Sequence, residues 1–135
     1  MIINILLLFF FTAIIVITLI IAITTKQSNP FVYFADAIYK NDLSGVQSLI
    51  KKYPQIDCSN QLARTPLIWA VMNHNSEIIK LLLQSHADIN RQDIDGCTSL
   101  MIAVNQQDVT TVELLIQYQA NLDIQDKAGE TALFK

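Results

Sequence analysis

An internal repeat of 33 residues constrains the fold of this chain more than any other feature of the sequence. From residue 65 onward the same residue types return at this constant spacing, with no insertion or deletion. The matched pairs are Thr65 and Thr98, Leu67 and Leu100, Ala70 and Ala103, Leu82 and Leu115, Asp93 and Asp126, and Gly96 and Gly129. A fixed period of this length indicates an array in which each unit packs on its neighbours. Such arrays serve chiefly as binding scaffolds.

The repeated strings resemble those of a known family. Residues 65–70 read Thr-Pro-Leu-Ile-Trp-Ala, and residues 87–90, after a run of leucines, read Ala-Asp-Ile-Asn. Both resemble the ankyrin repeat, and by register the resemblance covers residues 31–135. It implies an all-α fold, a short ankyrin-repeat solenoid of helix-turn-helix units with β-hairpin fingers. The units expected are at about 31–59, 60–92 and 93–125, with a partial unit at 126–135.

Helical spacing of the apolar residues predicts two helices in each unit. The predicted helices cover residues 32–40, 44–52, 66–73, 76–84, 99–105 and 109–118. Thr65 and Thr98 are suited to the N-cap position, and Pro66 to the first helical position. Where the family has glycines after its helices, this chain has His74, His86, Gln107 and Gln119. A left-handed backbone at a residue with a Cβ costs about 1 kcal/mol or more, so we expect a weaker array than is usual for the family.

The N-terminal segment differs sharply from the repeats. Residues 1–25 contain no charged side chain, and residues 5–23 are apolar except for two threonines. As a helix those nineteen residues reach about 28 Å, close to the thickness of a bilayer core. The sequence therefore predicts one transmembrane helix within residues 1–25, a linker at 26–30, and the repeat domain at 31–135.

A cleaved secretory signal is the alternative to an uncleaved anchor. Residues 1–4 lack the basic start that is usual in secretory signals, which favours the anchor. Lys26 and Lys40 follow the span and no basic residue precedes it, so a single-pass membrane protein with a cytoplasmic repeat domain is expected. After cleavage the protein would instead be exported or periplasmic.

Residues capable of chemistry form no recognisable catalytic or metal motif. His74 and His86 have no Cys or carboxylate at the spacing of zinc ligands. Cys58 and Cys97, 39 residues apart on different fingers, are expected to lie beyond the reach of a disulfide. The acidic stretch at residues 88–96 does not match a calcium loop. We therefore expect no enzyme, no metal and no cofactor, with a small metal- or thiol-dependent enzyme as a weaker alternative. The net charge of -3 gives no indication of a nucleic-acid partner.

Surface recognition is therefore the expected activity. In the family, partners meet the finger tips and the exposed edge of the first helix of each unit. By register, the resemblance implies that the partner-binding residues are Gln61, Leu62, Arg64, Ile68, Met72, Asn73, Ile94, Asp95, Met101, Asn105 and Gln106. The predicted function is a membrane-tethered protein-binding module, with an exported soluble ankyrin protein as the alternative.

The last complete helix pair lies next to a short C-terminal stub. Leu100, Ala103, Leu114 and Leu115 would face only residues 126–135. Either the stub folds over them, or a partner or a second copy covers them, or the chain is a shortened repeat protein without a stable fold. Self-association through an uncapped C-terminal repeat is therefore one of the expectations.

Overall fold

The computed structural model describes residues 14–17 and 29–135. Within residues 29–135, six α-helices form three pairs, and a short 3-10 helix follows them. The elements are α1 (Phe31–Tyr39), α2 (Leu43–Lys52), α3 (Pro66–Met72), α4 (Ser76–Gln84), α5 (Ser99–Asn105), α6 (Val109–Gln117) and the 3-10 helix Ala132–Phe134. The first helices α1, α3 and α5 stack on one another, and each packs on the second helix of its own pair. The all-helical solenoid expected from the resemblance is confirmed.

Side-chain caps begin these helices where the repeat predicts. The hydroxyl of Thr65 accepts the Ile68 N–H at 3.3 Å, and that of Thr98 accepts the Met101 N–H at 3.3 Å. Asp42 and Asp108 cap α2 and α6 in the same way through their carboxylates. A cap of this kind contributes about 1 kcal/mol, because it satisfies an N–H that has no partner within the helix.

The core follows the same period as the sequence. Rows of side chains one repeat apart are buried from one unit to the next, which joins the units into one apolar cluster. The clearest rows are Phe34, Leu67 and Leu100, then Ala37, Ala70 and Ala103, and then Leu82 and Leu115. Burial of each large side chain in these rows stabilises the array by about 1.5–3 kcal/mol, so the stacking of units is the main source of stability.

The predicted left-handed residues are confirmed. His74, His86, Gln107 and Gln119 have φ values of 56°, 66°, 57° and 64°. Two further positions of this kind, Asn41 and Ala63, were not predicted and have φ values of 53° and 55°. All six positions end a helix or turn a finger, where the chain must reverse direction.

The stub folds back onto the third unit, which is the first of the alternatives that the sequence left open. Leu100, Ala103 and Leu115 are buried, because the 3-10 helix packs against α5 and its Ala132 enters the core. The exposed apolar surface lies instead on the stub, where Leu133 is 79% and Phe134 is 80% exposed.

The predicted transmembrane segment, residues 5–23, lies outside the described residues except for 14–17. Those four residues are helical. Among residues 14–17 and 29–135, no helix combines the length and the apolar character needed to cross a bilayer.

Candidate binding surface

Three finger loops project between the helix pairs, and each is organised by one side chain. The carboxylate of Asp93 accepts the N–H groups of Asp95 and Cys97 at 3.0 and 2.9 Å. Asn60 and Asp126 do the same in the loops before and after it. A short acceptor side chain of this type holds a turn without any strand pairing. The three loops therefore share one backbone shape, set by a residue that recurs every 33 positions.

Main-chain hydrogen bonds connect each finger to the next. The N–H of Ile94 donates to the carbonyl of Leu62 at 2.9 Å, and the N–H of Lys127 donates to that of Asp95 at 3.0 Å. Within the described part of the chain the fingers contain no strand, only an isolated bridge between Gln92 and Thr98. The expected β-hairpins are thus tight turns, because too few residues flank each turn to extend the pairing.

The predicted partner-binding residues separate into three groups by exposure. Those that face solvent are Gln61, Leu62, Ile94, Asp95 and Asn105. Those that are partly buried are Arg64, Met72, Asn73 and Gln106. Those that are buried are Ile68 and Met101, at 0% and 1% exposure. The structure therefore brings nine of the eleven to the surface of the fingers and first helices.

The assignment of Ile68 and Met101 to the binding surface was wrong. They occupy equivalent positions one repeat apart, in the first turn of α3 and of α5. Both side chains are buried in the packed array, since α3 lies between α1 and α5 and α5 lies between α3 and the stub. A partner that docks on the surface cannot reach them.

The partly buried residues stabilise the surface. The Nε atom of Arg64 lies 3.9 Å from a carboxylate oxygen of the buried Asp93, which joins successive fingers. The amide of Gln106 donates to the carbonyl of Met72 at 3.2 Å, which joins α3 to the residue after α5. These cross-repeat contacts keep successive units in register, so the exposed side chains have fixed relative positions.

The fold and the repeated contacts agree with a comparison against known families. The family model described as ankyrin repeats, in three copies, matches residues 34–126. The chain belongs to the ankyrin repeat family. The match covers more than half of the chain and starts and ends inside the described repeats. Ankyrin repeats are protein–protein interaction modules, and the finger and first-helix surface described above is the one that the family resemblance implies.

One histidine contacts an acidic side chain of the next repeat. A ring nitrogen of His74 lies 3.1 Å from a carboxylate oxygen of Asp108, the cap of α6, and this contact joins two repeats. The hydrogen bond from the Thr111 N–H is the main factor that lowers the pKa of Asp108. Within residues 14–17 and 29–135, no three His, Cys, Asp or Glu side chains group as metal ligands would.

Both cysteines are free thiols in partly buried positions. Burial raises the pKa of Cys58 to about 11, and burial also raises the pKa of Cys97. A thiol with a raised pKa stays protonated at neutral pH and is a poor nucleophile.

An aromatic cluster on the first helix pair was missed by the sequence reasoning. The rings of Tyr33 and Tyr53 stack with centroids 6.0 Å apart and planes within 6° of parallel. The ammonium of Lys52 lies 5.2 Å from the centroid of the Tyr53 ring. The two tyrosines are twenty residues apart and the repeat has no equivalent pair, so the period could not reveal them. Their juxtaposition follows only from the packing of α1 against α2.

Proposed function

We propose that this protein is a membrane-tethered ankyrin-repeat module that binds a protein partner along its fingers and first helices and performs no catalysis. The observation that carries this proposal is the pair Leu62 and Ile94. These two apolar side chains lie on consecutive finger tips and are 42% and 46% exposed. The hydrogen bond between their backbones fixes their separation.

The surface around this pair has the composition of a binding site. Gln61 and Asp95 lie beside the two apolar residues, and Asn105 is exposed at the end of α5. An apolar centre with a polar rim is typical of protein interfaces. Because cross-repeat hydrogen bonds already order the fingers, a partner would not have to order them on binding, and this lowers the cost of association.

The tether is inferred from the N-terminal segment. Residues 14–17 form a helical turn whose four apolar side chains are each 53–56% exposed. Four consecutive helical residues point in all directions around the axis, so this turn is apolar on every side and is not packed in the repeat core. A helix that is apolar all round belongs in a buried or membrane environment. With the uncharged stretch at residues 5–23, this supports a single-pass anchor. Lys26 and Lys40, which follow that stretch, favour a cytoplasmic location for the repeats.

Photo-crosslinking tests the binding surface. A photoreactive amino acid at Ile94 of the full chain should give a crosslinked protein, whereas the same group at Ile116 should not. Ile116 is a matched control because it is 50% exposed but lies on α6, away from the fingers. Excess unmodified chain should compete for the crosslinked protein, and excess chain carrying Leu62→Asp and Ile94→Asp should not. Equal crosslinking at both positions, or competition by the double variant, would exclude the fingers as the site.

Intact mass and protease protection test the tether. We expect the product to have the mass of the full chain. We also expect protease to digest a C-terminal tag only when the inner face of the membrane is accessible. A product shorter by about 25 residues would support the exported form instead, since a cleavage site would then follow the apolar segment.

Self-association is a second proposal, and it rests on the exposed Leu133 and Phe134 of the stub. If these side chains contact a second copy, Phe134→Ser should lower the apparent mass of the detergent-solubilised chain in sedimentation. An unchanged mass, or a wild-type chain that sediments as a monomer, would contradict this contact.

A further inference from the structure

The first helix pair has one end at which the polypeptide arrives from the N-terminal segment. α1 begins and α2 ends at this end, which places the start of one helix beside the end of the other. The side chain of Asn29 fixes the arriving chain, because its amide donates to the Ser59 carbonyl and its oxygen accepts the Phe31 N–H at 3.1 Å. These two hydrogen bonds hold Asn29 in place at the start of α1.

Five side chains at this end form a surface that we call the entry patch: Val32, Tyr33, Lys51, Lys52 and Tyr53. The two tyrosines stack, Lys52 lies over one of the rings, and Val32 is 57% exposed. The neighbouring Phe31 is buried and its ring meets Trp69 edge-on, with centroids 6.0 Å apart. The first turn of α1 therefore faces the core on one side and exposes apolar and aromatic surface on the other.

The charges of the entry patch are not neutralised by the protein. Within residues 29–135, neither Lys51 nor Lys52 has a carboxylate close enough for an ion pair. Asp36, one turn further along α1, is already paired with Lys40 at 2.8 Å. Two ammonium groups without a carboxylate partner, beside two tyrosines, match the headgroup region of an anionic bilayer, where tyrosine is enriched and each lysine adds to binding.

The length of the connection keeps the entry patch near the membrane. Only residues 24–28 separate the apolar stretch from Asn29, and six residue steps reach about 20 Å at most. The charge distribution has the same effect. Residues 26–59 contain four basic and three acidic side chains, whereas residues 60–135 contain five basic and nine acidic ones. An anionic surface would attract the first unit and repel the later ones.

We propose that the entry patch lies against the anionic headgroups of the membrane that holds residues 5–23, so that the first repeat is a docking unit as well as part of the array. This inference rests on the proposed tether. The occupant is the bilayer surface: tyrosine rings and Val32 enter the interfacial layer, and Lys51 and Lys52 pair with lipid phosphates.

Quenching by brominated lipids tests this contact on the full chain reconstituted in vesicles. The reporter is Tyr33→Trp in a Trp69→Phe background, which leaves one tryptophan. Val109→Trp in the same background is the control, because Val109 is well exposed but lies two helix pairs away, at the start of α6. Vesicles of phosphatidylcholine are compared with vesicles that also contain phosphatidylglycerol, and flotation is measured first.

The expected result is strong quenching of the Tyr33→Trp reporter in anionic vesicles and weak quenching of the Val109→Trp control. Each lysine near an anionic surface strengthens binding about five-fold, so Lys51→Gln with Lys52→Gln should lower the ratio of docked to undocked molecules about 30-fold. A charge-matched pair on later repeats, Lys80→Gln with Arg91→Gln, should leave the quenching unchanged.

Two outcomes would overturn the inference, and they differ in what else they overturn. If the chain floats with the vesicles but both reporters are quenched equally, or the Lys51 and Lys52 changes have no effect, the contact is wrong and the tether stands. If the chain does not float, the tether is wrong and the contact falls with it. If circular dichroism shows that Trp69→Phe unfolds the array, both reporters are placed in a chain that keeps Trp69. The quenching measured for the chain with Trp69 alone is then subtracted.

Discussion

Glycine at two left-handed positions should make this array more stable. His86 and Gln119 occupy the same position one repeat apart, with φ values of 66° and 64°. Both side chains are exposed, and neither makes a hydrogen bond within the described residues. The hydrogen bonds that end α4 and α6 at these positions come from backbone N–H groups, which glycine keeps. Glycine would therefore remove the conformational cost and lose no contact.

The size of the gain follows from two opposing terms. A left-handed conformation costs a residue with a Cβ about 1–2 kcal/mol, and glycine avoids this cost. Glycine also loses about 0.5–1 kcal/mol more conformational entropy on folding. The net gain is about 0.5–1 kcal/mol per site, or about 1–2 kcal/mol for His86→Gly with Gln119→Gly. In a domain of this size 1 kcal/mol raises the melting temperature by about 4–8 °C.

Thermal unfolding followed by far-ultraviolet circular dichroism measures this gain on the full chain in detergent. Glu113→Gly is the matched control, because Glu113 is equally exposed but lies inside α6, where glycine costs about 1 kcal/mol. The double variant should melt about 4–16 °C above the wild type, and the control below it. A double variant that melts no higher than the wild type would refute the argument that these positions strain the array.

Three further predictions follow from the same structure. Gly96→Ala should lower the melting temperature more than Gly129→Ala: both glycines have positive φ, but a Cβ at Gly96 would lie 2.9 Å from the backbone nitrogen of Lys127, whereas one at Gly129 meets nothing within 4 Å. The pKa of Asp108 in the folded protein is below its ordinary value of 3.8, so the ionised carboxylate stabilises the fold above pH 3.8. This stabilisation is lost as the pH falls through the pKa of the folded state, and Asp108→Asn should therefore make the free energy of unfolding less dependent on pH in the acid range. Leu82→Ala, at a fully buried position, should lower the free energy of unfolding by about 2–5 kcal/mol, measured by urea titration as a lower midpoint concentration.

The fold was predictable because the residues that cap the helices and form the core recur at the same positions of each repeat. Thr65 and Thr98 cap their helices as predicted, and the buried rows fall on the expected period. The helix boundaries agree with the predicted ones to within one residue. Each unit is a local structure whose signals lie within one period, so reading one unit correctly amounts to reading them all. The left-handed residues were predictable for the same reason, because the family has glycine where this chain does not.

The binding surface was less predictable, because exposure depends on neighbours as well as on position in the repeat. Ile68 and Met101 lie on the first helices, where the resemblance implies a binding edge, and only the stacking of α3 and α5 shows that these two side chains are covered. Asn41 and Ala63 also turn left-handed and were missed, although they lie one period before His74 and Gly96. The stub likewise covers the third unit through Ala132, a residue that no local pattern distinguishes.

The first unit shows most clearly what a repeat pattern omits. Its helices obey the period, yet Tyr33 and Tyr53 have no counterparts in the later units. The same positions hold Pro66 and His86 in the second unit and Ser99 and Gln119 in the third. A residue type that is absent from the other units is not required for the repeat fold. It can therefore make contacts that are specific to its own unit. The unit nearest the apolar segment is the one that presents stacked tyrosines, and lysines without an ion-pair partner among the described residues, at its entry end. This coincidence of position and composition is why the first repeat, and not the fingers, is the place to look for contact with a membrane.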